Sequence, residues 1–198
     1  MTSAPPTTVV EHGAPDDHDL LRRHCEGDPD AFAELFRRHK DRMWAVALRV
    51  TRDPELAADC VQESFVAAFR RADSFRGDSA VTTWLHRIVV NACLDGLRRR
   101  RPQAELPEHE LADRHDDHAR TELRLDLDEA LGRLPVGQRA ALVLVDMHAV
   151  PVAEAAVILG VAEGTIKSRC ARGRAALAEI LGLDAGPRPR NPRTVSPV

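Results

Sequence analysis

Lys167, Arg169, Arg172 and Arg174 crowd a single short stretch, with Thr165, Ser168 and Ala171 set among them. At 3.6 residues per turn, Thr165, Ser168, Ala171 and Arg172 run down the middle of one helical face. Lys167 and Arg174 flank them on one side and Arg169 on the other. Cations at the edges suit phosphates, and short polar or small side chains at the centre suit the base edges of a major groove. The opposite stripe, Ile166, Cys170, Gly173, Leu177, Ile180 and Leu181, is the one that packs inward. A solvated basic face on an ordinary helical hairpin would carry the same charges. What favours DNA is the context: a short apolar helix over 152–159, Gly160 for a tight turn, then the basic helix over 162–181, which together read as a helix-turn-helix.

A second constellation, His109, His115 and His118 with Asp113, Asp116 and Asp117, holds metal-ligating residue types. Its spacing fits no closed metal site, so solvated polar residues are the better reading. No nucleophile elbow, phosphate loop or HExxH is present. The expectation is no catalytic activity, no cofactor and no bound metal. Cys25, Cys60, Cys93 and Cys170 form no CxxC pair, which reads as reduced thiols in a cytoplasmic protein, with Cys60, Cys93 and Cys170 on core faces. The first residues carry neither a basic leader nor an apolar core, and the run 140–145 is too short to span a bilayer.

The elements that must position these groups are all helical. Aromatics make up only 4% of the 198 residues and Tyr is absent, whereas Ala, Leu, Arg and Glu dominate. Residues 1–17 and 183–198 read as a disordered arm and tail, rich in Pro and without apolar periodicity. Between them, two small helical domains are expected, over 18–101 and 122–182, joined by a flexible linker at 102–121. Net charge is only −3, but the signs are segregated: residues 105–129 hold ten acidic residues against three Arg. That acidic stretch is expected either to follow a positively charged path on a partner or to shield the basic faces.

In the first domain, helices are expected from about Asp19, after Asp28 and Pro29, and after Asp53 and Pro54, where an Asp caps and a Pro opens the helix. The second of these buries Phe32, Leu35, Phe36, Met43, Ala47 and Val50 by its periodicity. The third buries Ala57, Cys60, Val61, Ser64, Phe65 and Ala68. Its far side carries Asp59, Gln62, Glu63, Val66 and Arg70, an apolar residue ringed by polar ones, as in a protein-binding patch. The loop Arg76, Gly77, Asp78, Ser79 opens a fourth helix with a core stripe of Val81, Leu85, Ile88, Val89 and Ala92. Arg87, Asn91 and Arg98 align opposite, and Trp84 beside them suits either the core or a DNA surface.

VAEAAVILGVAEGTIKSRCARGRAAL resembles the promoter-reading region 4 of bacterial RNA polymerase sigma factors of the extracytoplasmic-function (ECF) group. DCVQESFVAAFRRADSFRGDSAVTTWLHRIVVNACLDGLRRR is similar to region 2 of the same group, in the same order, and the strings VVNACLD and VAEGTIKSRCAR within the two look most like actinobacterial sigma-M-type members. The resemblance implies a two-domain all-α initiation factor that binds core RNA polymerase and promoter DNA in the cytoplasm and is held inactive by an anti-sigma factor. It implies that Asp59, Gln62, Glu63, Val66 and Arg70 dock on the polymerase clamp. Arg76, Gly77, Asp78, Ser79, Trp84, Arg87, Asn91 and Arg98 would read the minus-10 element, the loop holding a flipped base. Thr165, Lys167, Ser168, Arg169, Ala171, Arg172 and Arg174 would read the minus-35 element. Ala162 departs from the pattern, standing where a capping residue often opens the recognition helix. The competing expectation is a free-standing helix-turn-helix regulator, which would leave the first domain without a task and would call for a more basic chain.

Overall fold

The computed structural model describes residues 15–100 and 127–183, and these form helices connected by short turns. α1 (Asp17–Cys25) starts at Asp16, whose carboxylate accepts a hydrogen bond from the Asp19 amide at 2.7 Å, and it buries Leu20 and Leu21. α2 (Ala31–Thr51) buries Leu35, Met43, Val46, Ala47 and Val50 completely. Asp28 does not cap it directly. Its carboxylate instead accepts from the Asp30 amide at 3.0 Å and from Arg23 at 2.6 Å, so it braces the turn leading into the helix.

α3 (Pro54–Arg70) begins as its sequence predicts: Asp53 accepts from the Leu56 amide at 2.8 Å, with Pro54 in the first turn. A 3-10 turn at Ala72–Ser74 leads to α4 (Val81–Arg100), and α2, α3 and α4 pack mutually around the first core. One core assignment is corrected. Phe36 is 41% exposed, its ring only edge-packed on Phe65 at 4.7 Å, because it lies at the margin of the stripe centred on Leu35.

The second group contains α5 (127–132), α6 (Val136–Leu142), a π-helical turn at Val143–Met147, α7 (Val152–Leu159) and α8 (Glu163–Ile180). The helical run from Val136 to Met147 thus changes pitch at Val143, and the His148 amide donates to the Val143 carbonyl at 3.1 Å. Gly160 closes α7 at φ +62°, and the Val161 amide donates back to the Ala156 carbonyl at 3.1 Å, as a tight left-handed helix stop requires. Gly173 is explained by close approach. A Cβ there would lie 2.7 Å from a methyl of Leu142, which is itself 2% exposed, so α8 sits on α6 with no room for a side chain.

The two groups also pack on each other, α6 and the π turn against α2, and α7 against α4. His86 of α4 is buried at this contact, its ring 5.4 Å from that of His148, and Val90 is buried as well, in addition to the stripe containing Val81, Leu85 and Val89. Arg139 is the largest polar group enclosed in it, only 6% exposed.

Candidate nucleic-acid interface

α8 rests on the core through Ile166, Cys170 and Gly173, all buried, with Leu177 and Ile180 partly so. Its outward face is therefore fixed. Lys167, Ser168, Ala171, Arg172 and Arg174 are exposed, and Thr165 and Arg169 are half-buried. Ser168 donates to the Thr165 carbonyl at 2.9 Å, which points its hydroxyl back along the helix, and the Arg172 guanidinium leans on Ser168 at 3.4–3.5 Å. Lys167 lies 3.7 Å from Glu163, an exposed pair of little strength.

Two of the cations are held in place by the scaffold. The Arg174 guanidinium makes a bidentate pair with Asp146 at 2.7 and 2.8 Å, and this carboxylate raises its already high pKa. The Arg169 guanidinium lies over Gly137 of α6, in the space that a side chain there would fill. The helix begins at Ala162, which supplies no side-chain cap, so Glu163 in the first turn is the only acidic group there to favour the positive helix end.

The second cationic face is on α4. Arg87, Asn91 and Arg98 are exposed, and Arg98 donates to Asp95 one turn earlier at 2.8 Å. Trp84 is half-buried with its ring 5.4 Å from Phe75, and Phe75 in turn stacks near His18 at 5.2 Å. One side of the indole therefore belongs to the core edge. Ahead of it Arg76, Gly77 and Asp78 are exposed and Ser79 half-exposed, with Gly77 at φ +77°, a conformation that holds the loop in a sharp turn.

On α3, Asp59, Gln62, Glu63, Val66 and Arg70 are all exposed, on the side opposite Cys60, Ser64 and Ala68. Two apolar groups missed by the periodicity argument extend this face. Phe69 is 53% exposed, with its ring 5.1 Å from Phe32 and 4.5 Å from His24, and the His24 imidazole lies 3.2 Å from the Phe69 carbonyl. Phe69 follows Val66 by three residues, so its place beside Val66 was readable from helical spacing. Phe36 on α2 supplies the other. The result is a strip of exposed apolar rings bordered by carboxylates.

Three of the four thiols, Cys60, Cys93 and Cys170, are buried, and Cys25 is exposed. Burial pushes Cys60, Cys93 and Cys170 up from the usual thiol value, which leaves them protonated and unreactive. The His109, His115, His118 group lies outside the described residues, and among the described residues no three metal-ligating side chains converge.

Comparison with known proteins places these surfaces in a family. Residues 35–103 match Sigma-70 region 2 and residues 124–177 match Sigma-70 region 4. The chain is 49% identical over 166 residues to the ECF RNA polymerase sigma factor SigM of Mycobacterium tuberculosis, covering 84% of this chain and 85% of that one. It is 31% identical to SigW of Bacillus subtilis, covering 81% and 94%. Among solved structures, the sigma factor RpoE of Bartonella quintana in complex with the anti-sigma factor NepR aligns with a TM-score of 0.66 at 28% identity, over 78% of this chain and 99% of that one. CnrH in complex with the cytosolic domain of CnrY aligns at 0.63 and 29%, over 85% and 99%.

Proposed function

This chain belongs to the ECF group of bacterial RNA polymerase sigma factors, and we propose how its surfaces divide the work of directing core polymerase to promoters. It is a transcription initiation factor that binds core RNA polymerase and promoter DNA. The α3 face, with Asp59, Gln62, Glu63, Val66 and Arg70 extended by Phe69 and Phe36, docks on the polymerase clamp, the rings supplying apolar anchors and the carboxylates the rim. The α4 face and the loop Arg76 to Ser79 engage the minus-10 element, where extracting a base costs a few kcal/mol of stacking and pairing that contacts must offset. The α8 face from Thr165 to Arg174 reads the minus-35 element.

The observation that carries this division is the presence of two separate outward cationic helical faces, on α4 and α8, each backed by a buried stripe. The corresponding domains run over 18–101 and 122–182, with the acidic linker between. The chain has no catalytic activity of its own, works in the cytoplasm with polymerase, and is held inactive by an anti-sigma factor. Among the described residues no helix is long and apolar enough to cross a membrane.

In vitro transcription from genomic fragments, with core polymerase in the presence and absence of the chain, tests the reading. New start sites that depend on the chain are expected. Their absence, together with tight DNA binding by the chain alone, would favour a free-standing regulator.

A further inference from the structure

α1 precedes the segment that matches Sigma-70 region 2, which starts at residue 35. It bears none of the proposed polymerase- or DNA-facing residues, yet its place is tightly fixed. Leu20 and Leu21 are 2% and 3% exposed beneath it. The Asp17 carboxylate lies 2.7 Å from Nε2 of the buried His39, and Arg38 donates to the Pro15 carbonyl at 2.8 Å. α1 packs on α2 and also on the 3-10 turn at Ala72–Ser74, which leads directly into the loop Arg76 to Ser79.

From that position His18 reaches the base of the loop. Its ring centroid lies 5.2 Å from that of Phe75, tilted by 55°, and Phe75 lies 5.4 Å from Trp84, tilted by 52°. Both are geometries that aromatic pairs favour, so Phe75 touches α1 through one ring and α4 through the other. Its backbone is held as well, the Phe75 amide donating to the carbonyl of the buried Ala72 at 3.1 Å. The residues that follow lack such support. No hydrogen bond to another described residue holds Arg76, Gly77 or Asp78, and Ser79 makes only a 3.5 Å contact with the adjacent Ala80 carbonyl. The loop is therefore placed by its two ends, the Phe75 ring and the buried Val81 at the start of α4. Resting on the assignment of this loop and Trp84 to the minus-10 element, we propose that His18 is a positioning residue for minus-10 binding, holding Phe75 so that the loop and the indole keep one common geometry.

The His18 contact is not what seats α1. His18 is exposed, and the burial that attaches the helix comes from Leu20 and Leu21. Removing an exposed imidazole costs the fold little. What changes is the freedom of Phe75 and of the loop behind it. A segment without hydrogen bonds of its own must be ordered when DNA binds, and that ordering weakens binding unless packing has already supplied it. One ring contact of this kind corresponds to about a three- to tenfold effect on affinity.

The test uses the full-length chain bound to core polymerase. The probe is a fluorescent non-template-strand oligonucleotide carrying the minus-10 element of a promoter mapped by in vitro transcription. His18→Ala should weaken oligonucleotide binding about three- to tenfold, with polymerase affinity, minus-35 duplex binding and the thermal midpoint at parent values. His18→Phe, which keeps a ring against Phe75, should restore it. Equal binding by His18→Ala and the parent, or a loss that His18→Phe does not reduce, would overturn the inference. So would a loss that extends to minus-35 binding and comes with a lowered thermal midpoint, the mark of a purely structural role. If the parent complex prefers its oligonucleotide no more than a scrambled one, the minus-10 assignment of the loop fails, and the inference with it.

Discussion

The guanidinium of Arg139 caps the carbonyl of Val50, in the last turn of α2, across 89 residues of sequence. A helix C-terminus leaves its last carbonyls without intrahelical donors and carries partial negative charge, so a buried cation there meets two needs at once. The same guanidinium donates to the Leu134 and Gly132 carbonyls at 3.2 and 3.3 Å within its own helix group.

Replacing Arg139 with Ala leaves these buried carbonyls without a charged donor. Stability should fall by about 3 kcal/mol, at the upper end for a lost hydrogen bond that exposes buried acceptors. Urea unfolding of the whole chain measures it. A midpoint equal to that of the parent would show that Arg139 is replaceable by water.

Phe69 is expected to separate binding from folding. Its ring is more than half exposed, so Phe69→Ala should change stability little, yet lower affinity for core polymerase at least tenfold, or ~1.4 kcal/mol, as loss of an aromatic anchor does. Fluorescence anisotropy against core polymerase reads the affinity and thermal unfolding reads the fold. Undiminished affinity would remove Phe69 from the docking face.

On α8, Arg172→Ala should relax discrimination at the minus-35 element by about 1–3 kcal/mol, because Arg172 lies at the centre of the outward face. Lys167→Ala, at its edge, should weaken binding evenly across sequences and reduce the salt dependence by roughly one counterion. Competition binding of the polymerase complex at several salt concentrations distinguishes the two. A uniform loss for both variants would mean that neither reads bases.

Acid should loosen the contact between the two helix groups. Burial depresses His86 to about 3 and His148 to about 4 from an ordinary 6.5, with the positive charge of Arg42 facing both, Arg49 facing His148, and His39 facing His86. The buried carboxylate oxygen of Glu154, on α7 packed against α4, does not pair with either ring. The packed contact excludes protons that the same imidazoles accept once exposed to water at pH below 6.5. Its stability should thus be full above that value and decline as pH falls toward 4. Energy transfer between labels on the two groups, followed over pH 4–8, measures this. His86→Phe should flatten the response, and an equally steep response in that variant would rule out His86 as its source.

Much of this was legible in the sequence because helices advertise themselves locally. Asp53 and Pro54 mark a helix start that needs no tertiary information, and the spacing of Ile166, Cys170 and Gly173 dictates which face of α8 turns outward. Phe36 was misassigned because periodicity locates the centre of a stripe better than its edge. His86 was not recognised as buried, since it meets His148 of the second helix group, and no single-helix pattern reports a partner that arrives from elsewhere in the chain. Gly173 made sense only once Leu142 was seen beneath it. The pitch change at Val143 left no mark in a run of apolar residues compatible with either helix type.

The central claim is that two faces of one chain read two promoter elements, and that they do so with polymerase. Footprinting on a mapped promoter tests it most directly, with enzymatic protection reporting the minus-35 element and permanganate reactivity reporting minus-10 melting. Both signals should appear with core polymerase plus the chain, and neither with the chain alone. Full minus-35 protection by the chain alone, or a complex with polymerase that melts no DNA, would contradict the account.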